Sequence, residues 1–282
     1  MKANQGATLT RLLTAIVLLP AVLALVWIEA LGPAFTVFVA AVVALGLVEF
    51  FAIARARQIE TWPSGAIVLG VLMVASASIA DELLNAVLVF GVIVLAWGQV
   101  LRGQVDLPAL SVTLWGLFYV GWLPAHLVLL HDIEGPLGAG LVTLLIAIIA
   151  LSDTGAYFIG RAFGRRKLAP TISPNKTWEG AVGGVAAALA GSCAAWYIDA
   201  TWPAAPLPGW ALWEYAVAGA LLAIAGQIGD LVESMMKRDA GVKDSGRLLP
   251  GHGGILDRCD GFLFAAPMLY YLLVWLPVRV EV

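Results

Sequence analysis

Apolar residues run along this chain in long uninterrupted blocks, near residues 11–29, 33–54, 63–80, 84–101, 108–130, 138–160, 178–198, 211–231 and 260–278. Each is close to the ~20 residues a helix needs to cross a ~30 Å hydrocarbon core. Turn-formers or charges separate them: Gly32-Pro33, Asp81-Glu82, Arg102-Gly103, Asp132 to Pro136, and Trp202 to Pro208. Membrane strands would alternate apolar and polar positions over about ten residues, which these blocks do not. The pattern predicts an all-α fold, a polytopic transmembrane helix bundle of about nine transmembrane helices.

Composition agrees. Of 282 residues, 61% are hydrophobic and 12% charged, with a mean hydropathy of +0.92; soluble domains carry about 25% charged residues. A water-soluble fold could not cover its surface with so few polar groups, so lipid is the solvent for most of the chain. The first apolar run, Leu12 to Trp27, follows Lys2 and Arg11 like a signal peptide. No small-residue cleavage site follows it, and it reads as a retained span.

The net charge of -3 says little; the placement of Lys and Arg says more. With the N-terminus in the cytoplasm, fifteen of the 16 Lys and Arg residues fall on cytoplasmic segments, and Arg279 alone falls outside. That bias supports an odd number of spans and a cytoplasmic N-terminus. Cys193 and Cys259 are expected on opposite sides of the membrane and lack the spacing of a metal knuckle or redox pair.

Chemistry is distributed unevenly. Residues 1–136 form an N-terminal set of helices for packing, dimer contacts or lipid-facing surface. Residues 137–282 form a C-terminal catalytic region with two cytoplasmic segments, 161–177 and 232–259. No convincing repeat relates the halves, which weakens a transporter built on inverted repeats.

In the first constellation, Ser152-Asp153-Thr154-Gly155 lies inside a span and is followed by FGRRKLAPTISPNKTWEG through Gly180. A carboxylate at a span centre costs about 2.5–3.5 kcal/mol and is usually functional; the alternative is that Asp153 pairs with an Arg or bonds a helix backbone. Lys176 precedes Thr177-Trp178-Glu179, a helix start suited either to a phosphate or to a cap with Thr177 as capping residue. Both readings can hold together. Gly180 and Gly184 have the spacing of close helix packing or a dimer seam.

In the second constellation, Asp230 ends one span while Asp257 and Asp260, three apart on one helix face, begin the next. The three carboxylates are expected at one membrane depth, an oxygen-rich setting for Mg²⁺. Lys237, Arg238, Lys243, Arg247 and Arg258 crowd the intervening segment. Contact with anionic headgroups would explain the sign of that charge, but not the interleaved acids or the glycine run around His252. A P-loop fails because His252 stands where its Lys would be.

The stretch SMMKRDAGVKDSGRLLPGHGGILDRCD, Ser234 to Asp260, resembles the signature of the phosphatidate cytidylyltransferase family, and SDTGAYFIGRAFGRRKLAPTISPNKTWEGAVGG resembles that family's second block. The resemblance implies transfer of CMP from CTP to phosphatidic acid, giving CDP-diacylglycerol and pyrophosphate in phospholipid biosynthesis. It also implies Mg²⁺ with a second, monovalent cation such as K⁺, a homodimer with no nucleic-acid partner, and a cytoplasm-facing site in a bacterial inner membrane. Carried onto this chain, Asp230, Asp257 and Asp260 are the metal candidates. Catalytic candidates are Lys237, Arg238, Lys243, Asp244, His252 and Arg258, and substrate contacts are expected from Asp153, Lys176, Ser234, Gly253 and Gly254. His252 could be a leaving-group acid, a phosphate donor or a loop strut.

Two rivals stand beside this reading. A CTP-dependent kinase or transferase for another membrane lipid alcohol would keep the metal site and change the acceptor. An ion-coupled transporter would use the intramembrane acids Glu49, Asp153 and Asp230; all three lie towards the cytoplasmic ends of their spans, and the outer halves have no matching ionisable chain.

Overall fold

A computed structural model describes residues 17–103, 105–202, 204–246, 253–276 and 278–279. Among them nine helical segments follow the predicted runs: α1 Val17–Trp27, α2 Gly32–Ala56, α3 Pro63–Ala77, α4 Asp81–Leu101, α5 Leu107–His131, α6 Leu137–Phe163, α7 Trp178–Thr201, α8 Leu212–Asp239 and α9 Leu256–Trp275. Six have the length and apolarity to cross a membrane: α2, extended by a 3₁₀ turn from Glu29, and α4 to α8. The protein is an integral membrane helix bundle. Residues 11–16, where the first predicted span begins, lie outside the described residues, as do Arg247, Gly251 and His252.

Helix starts follow local chemistry. Proline stands in the first two positions of α2, α3 and α5, where its missing N–H costs no intrahelical bond. Asp106 caps α5, accepting from Ala109 N at 2.9 Å. Within α5 the backbone widens to a π-helix over Leu117–Trp122, just before Pro124, which has no N–H for the Val120 carbonyl.

Two differences from the predicted spans bear on the site. Helix α8 continues to Asp239, well past the end of its apolar run at 231. Gly241 ends it at φ +70, with Gly241 N donating to Arg238 O and Val242 N to Lys237 O at 2.9 Å. This paired closure needs a left-handed residue after the helix; hydropathy marks where a helix leaves lipid, whereas this glycine marks where it stops. Helix α9 correspondingly starts at Leu256 rather than 260. The second difference is an antiparallel hairpin in the segment after α6, β1 Lys167–Ala169 and β2 Ser173–Thr177, with Lys167 opposite Thr177. It lies outside the spans, where the ~10-residue alternation expected of membrane strands does not apply.

The described chain forms two compact units, one taking in residues up to Leu129 with 236–259, the other Leu130–Met235 with residues from Asp260 onward. In the first, Phe35, Val39, Val43, Leu47, Phe50 and Ala54 make a buried stripe on α2. Glycines let its partners approach: a side chain at Gly70 would meet Leu47, and one at Gly116 would meet Phe50. In the second, α6 and α7 pack so closely that a Cβ at Gly180 would lie 2.9 Å from Ala156 O, and one at Gly184 2.8 Å from Ser152 O. Lipid tails are as apolar as these side chains, so small-residue contact rather than water exclusion holds such helices together. The Gly180/Gly184 spacing therefore serves packing within the chain.

Candidate active site

In the second unit, the last turns of α6, α8 around Gln227 and Asp230, the hairpin and the start of α7 line a cavity of about 530 Å³ that includes Asp153, Tyr157, Arg161, Asn175, Lys176 and Asp230 among its walls. The hairpin sets Lys176: the β1–β2 pairing brings Thr177 opposite Lys167 and delivers Lys176 at the mouth of α7. Thr177 Oγ1 caps α7 through Gly180 N at 3.1 Å, as its sequence position predicts. Glu179 ties the hairpin back, accepting from the backbone N–H of Arg165 at 3.0 Å and of Arg166 at 3.2 Å.

Lys176 Nζ forms an ion pair with Asp230 Oδ2 at 2.5 Å, and Ser234 Oγ donates to Asp230 Oδ1 at 3.3 Å. Gln227, one turn before Asp230 on α8, donates to Ala181 O at 3.2 Å and joins α8 to the start of α7. Arg161 Nη1 donates to the Tyr157 hydroxyl at 2.8 Å, placing a guanidinium on the cavity wall. Three of the predicted residues, Asp153, Lys176 and Asp230, thus share one cavity, and Ser234 touches the third. Tyr157, Arg161, Asn175 and Gln227 complete it. The first three sit in the same block as Asp153 and Lys176, and Gln227 stands one turn before Asp230; an aromatic or amide there has no spacing signal of its own.

The first unit holds a second cluster around Asp257. Its Oδ1 pairs with Lys237 Nζ at 2.6 Å, both side chains being about nine-tenths buried. Its Oδ2 accepts from Gly254 N at 2.8 Å, Ser245 N at 3.0 Å and Ser245 Oγ at 2.9 Å. Gly253 makes the turn at φ +84, where a Cβ would approach Asp257 Oδ2 to 2.7 Å. Glycine is needed on both counts. Arg238, Lys243, Asp244 and Arg258 stand at the surface.

Glu49 completes this cluster from α2. From the sequence alone it reads only as one acid of an ion path. It is 4% exposed and accepts from Ile255 N at 3.0 Å and Leu256 N at 2.9 Å, and its Oε2 lies 3.0 Å from Ser245 Oγ, whose single proton can serve either Glu49 or Asp257. The signal was a lone acid in an apolar run; the partner, some 200 residues away, was not readable.

The three predicted metal carboxylates have different partners. Asp230 faces the cavity, Asp257 sits in the Lys237 cluster, and Asp260 accepts from Gly261 N at 2.8 Å. Among the described residues no three His, Cys, Asp or Glu side chains form a metal-holding group. Mg²⁺ commonly takes only one or two carboxylates and completes its shell with water and substrate phosphate. Asp230 and Asp257 each hold a lysine ammonium, so both are cation-binding oxygens of the hard type Mg²⁺ prefers.

A family model described as the cytidylyltransferase family matches residues 9–276. The chain belongs to the cytidylyltransferase family. Among its relatives are proteins named phosphatidate cytidylyltransferase from Brucella suis, 42% identical over 93% of this chain and 91% of theirs, and from Pseudomonas aeruginosa, 38% identical over 93% and 96%. A third, from Synechocystis, is 36% identical over 86% of this chain and 89% of its own. The match to the cytidylyltransferase family covers the first half as well as the two motif-bearing blocks, so α2 and its Glu49 lie inside the matched region.

Proposed function

We propose that this family member transfers a cytidylyl group from CTP to phosphatidic acid, releasing pyrophosphate, at the cytoplasmic face of a bacterial inner membrane. The observation that carries the reading is the Lys176–Asp230 pair on the wall of a cavity large enough for a phosphate headgroup. The names of the relatives support the acceptor and donor.

The step balances without redox chemistry. An oxygen of the lipid phosphate attacks the α-phosphorus of CTP, the bond from that phosphorus to the bridging oxygen towards the β-phosphate breaks, and pyrophosphate leaves with the electron pair. A phosphate monoester carries roughly -1.5 to -2 charge at neutral pH, so it attacks without a general base. The barrier is repulsion between two anions, and catalysis rests on cations and alignment.

Lys176 receives the lipid phosphate, with Asp230 fixing its ammonium, Ser234 fixing Asp230 and Asp153 on the same cavity wall as a substrate contact. Lys237, Arg238, Lys243 and Arg258 offset the charge of the triphosphate and of the leaving pyrophosphate. Asp244 belongs to that basic run, and the turn at Gly253 and Gly254 lets phosphate oxygens come close to the backbone. His252 belongs to the same glycine run. Asp230 and Asp257, with Asp260, would hold Mg²⁺, which when bound neutralises phosphate oxygens and steadies the leaving group; a monovalent ion such as K⁺ would add to that charge. A homodimer is the proposed assembly.

The test is purified protein in detergent with labelled CTP, supplying phosphatidic acid or a polyprenol as acceptor, with and without Mg²⁺. CDP-diacylglycerol and pyrophosphate in equal amounts are expected only with phosphatidic acid and Mg²⁺. Product with the polyprenol alone would move the protein to another acceptor class.

A further inference from the structure

We propose that Glu49 is a positioning residue, clamping both ends of the glycine-rich segment so that Asp257 and Lys237 face their ligand in a fixed geometry. The inference rests on the cytidylyl-transfer reading for its activity readout. Its structural content lies wholly within the first compact unit.

A buried carboxylate must be met by donors, and those of Glu49 come from one place. Its Oε1 accepts Ile255 N and its Oε2 accepts Leu256 N, so it caps the N-terminus of α9 in place of a local Ser, Thr or Asp. Helix N-termini expose unpaired N–H groups and a partial positive charge, both of which an anion satisfies. The same Oε2 takes Ser245 Oγ from the far end of the segment. A Cβ at Gly246 or at Gly254 would collide with the Glu49 carboxylate. Backbone from both ends is therefore drawn onto one side chain.

Ser245 then passes the constraint on. Its Oγ lies within hydrogen-bond distance of both Glu49 Oε2 and Asp257 Oδ2, and its N–H donates to Asp257 Oδ2 as well. With Oδ2 held by Ser245 and Gly254 N, the carboxylate of Asp257 is oriented so that Oδ1 faces Lys237. The cluster thus presents carboxylate oxygens of Glu49 and Asp257, of the hard type a divalent cation takes. A helix cap alone would affect only stability; a clamp acting through Ser245 also sets cation affinity and turnover.

The experiment uses full-length protein in a Cys193→Ala background, so that Cys259, in the first turn of α9, is the remaining thiol. Glu49→Gln keeps the shape but points an NH₂ at backbone donors. Partners that orient a metal ligand typically change affinity or activity by about 10–100-fold. Turnover with CTP, phosphatidic acid and Mg²⁺ should fall in that range with KM for CTP little changed, and Mn²⁺ binding without substrates should weaken likewise. Maleimide should modify Cys259 faster. Ser245→Ala, which leaves both backbone bonds to Glu49 intact, should cause a comparable loss, and the double variant should lose no more than the worse single one. Wild-type turnover and Mn²⁺ affinity in either single variant, or losses that multiply in the double, overturn the proposal. If the wild-type chain transfers no cytidylyl group, the reading of function fails by itself, while Mn²⁺ binding and Cys259 modification still decide the role of Glu49.

Discussion

Asp257 spends one oxygen on Lys237 and the other on three donors from the glycine-rich segment, so an amide there must turn an NH₂ towards an ammonium or an N–H. Asp257→Asn is therefore expected to lower turnover by about 100-fold or more while expression and oligomeric state hold. Breaking a buried ion pair also destabilises by about 3–5 kcal/mol, which thermal unfolding would register. Lys176 is more open, and its variant should act on substrate rather than on the fold. Lys176→Met should raise the KM for phosphatidic acid about tenfold, the worth of one hydrogen bond to a charged group, and leave the KM for CTP nearly alone. At this scale the sequence disclosed its charges well, because an acid or lysine beside apolar residues is conspicuous. It did not disclose Ser245 or the pairing of Glu49 with Ile255 and Leu256, which depends on a contact far along the chain.

The elements carry a different lesson. Runs of apolar residues located each described helix, yet the ends that matter were set by single residues: Gly241 lengthens α8 past its apolar run, and Glu49 lets α9 begin at Leu256. The hairpin after α6 was unreadable because a three-residue strand leaves no alternation to detect. Its link to α7 is testable. Thr177→Ala removes the cap on Gly180 N and should cost about 1 kcal/mol of stability, read as a lower thermal midpoint. Gly180→Val should do more, since its Cβ would already press on Ala156 O and Gly160. The α6–α7 contact must then widen, and both midpoint and turnover should fall together.

For the whole molecule, the distribution of Lys and Arg supports a cytoplasmic N-terminus, and it makes a claim about sidedness that labelling can check. In a background lacking Cys193 and Cys259, Ala240→Cys should react with an impermeant maleimide from the cytoplasmic side and Glu134→Cys from the opposite side. The reverse pattern would place the basic segments outside, away from CTP. Membership of the cytidylyltransferase family extends over residues 9–276. The first-half helices therefore belong to the same enzyme as the motif-bearing half, and Glu49 gives one of them a task beyond packing.

The most direct measurement is the stoichiometry of product formation by the purified protein. Given labelled CTP, phosphatidic acid and Mg²⁺, it should release one pyrophosphate for each CDP-diacylglycerol formed, and the Asp257→Asn variant should form both about 100-fold more slowly or less. Undiminished product from that variant, or no lipid product from the wild-type protein, would contradict the account.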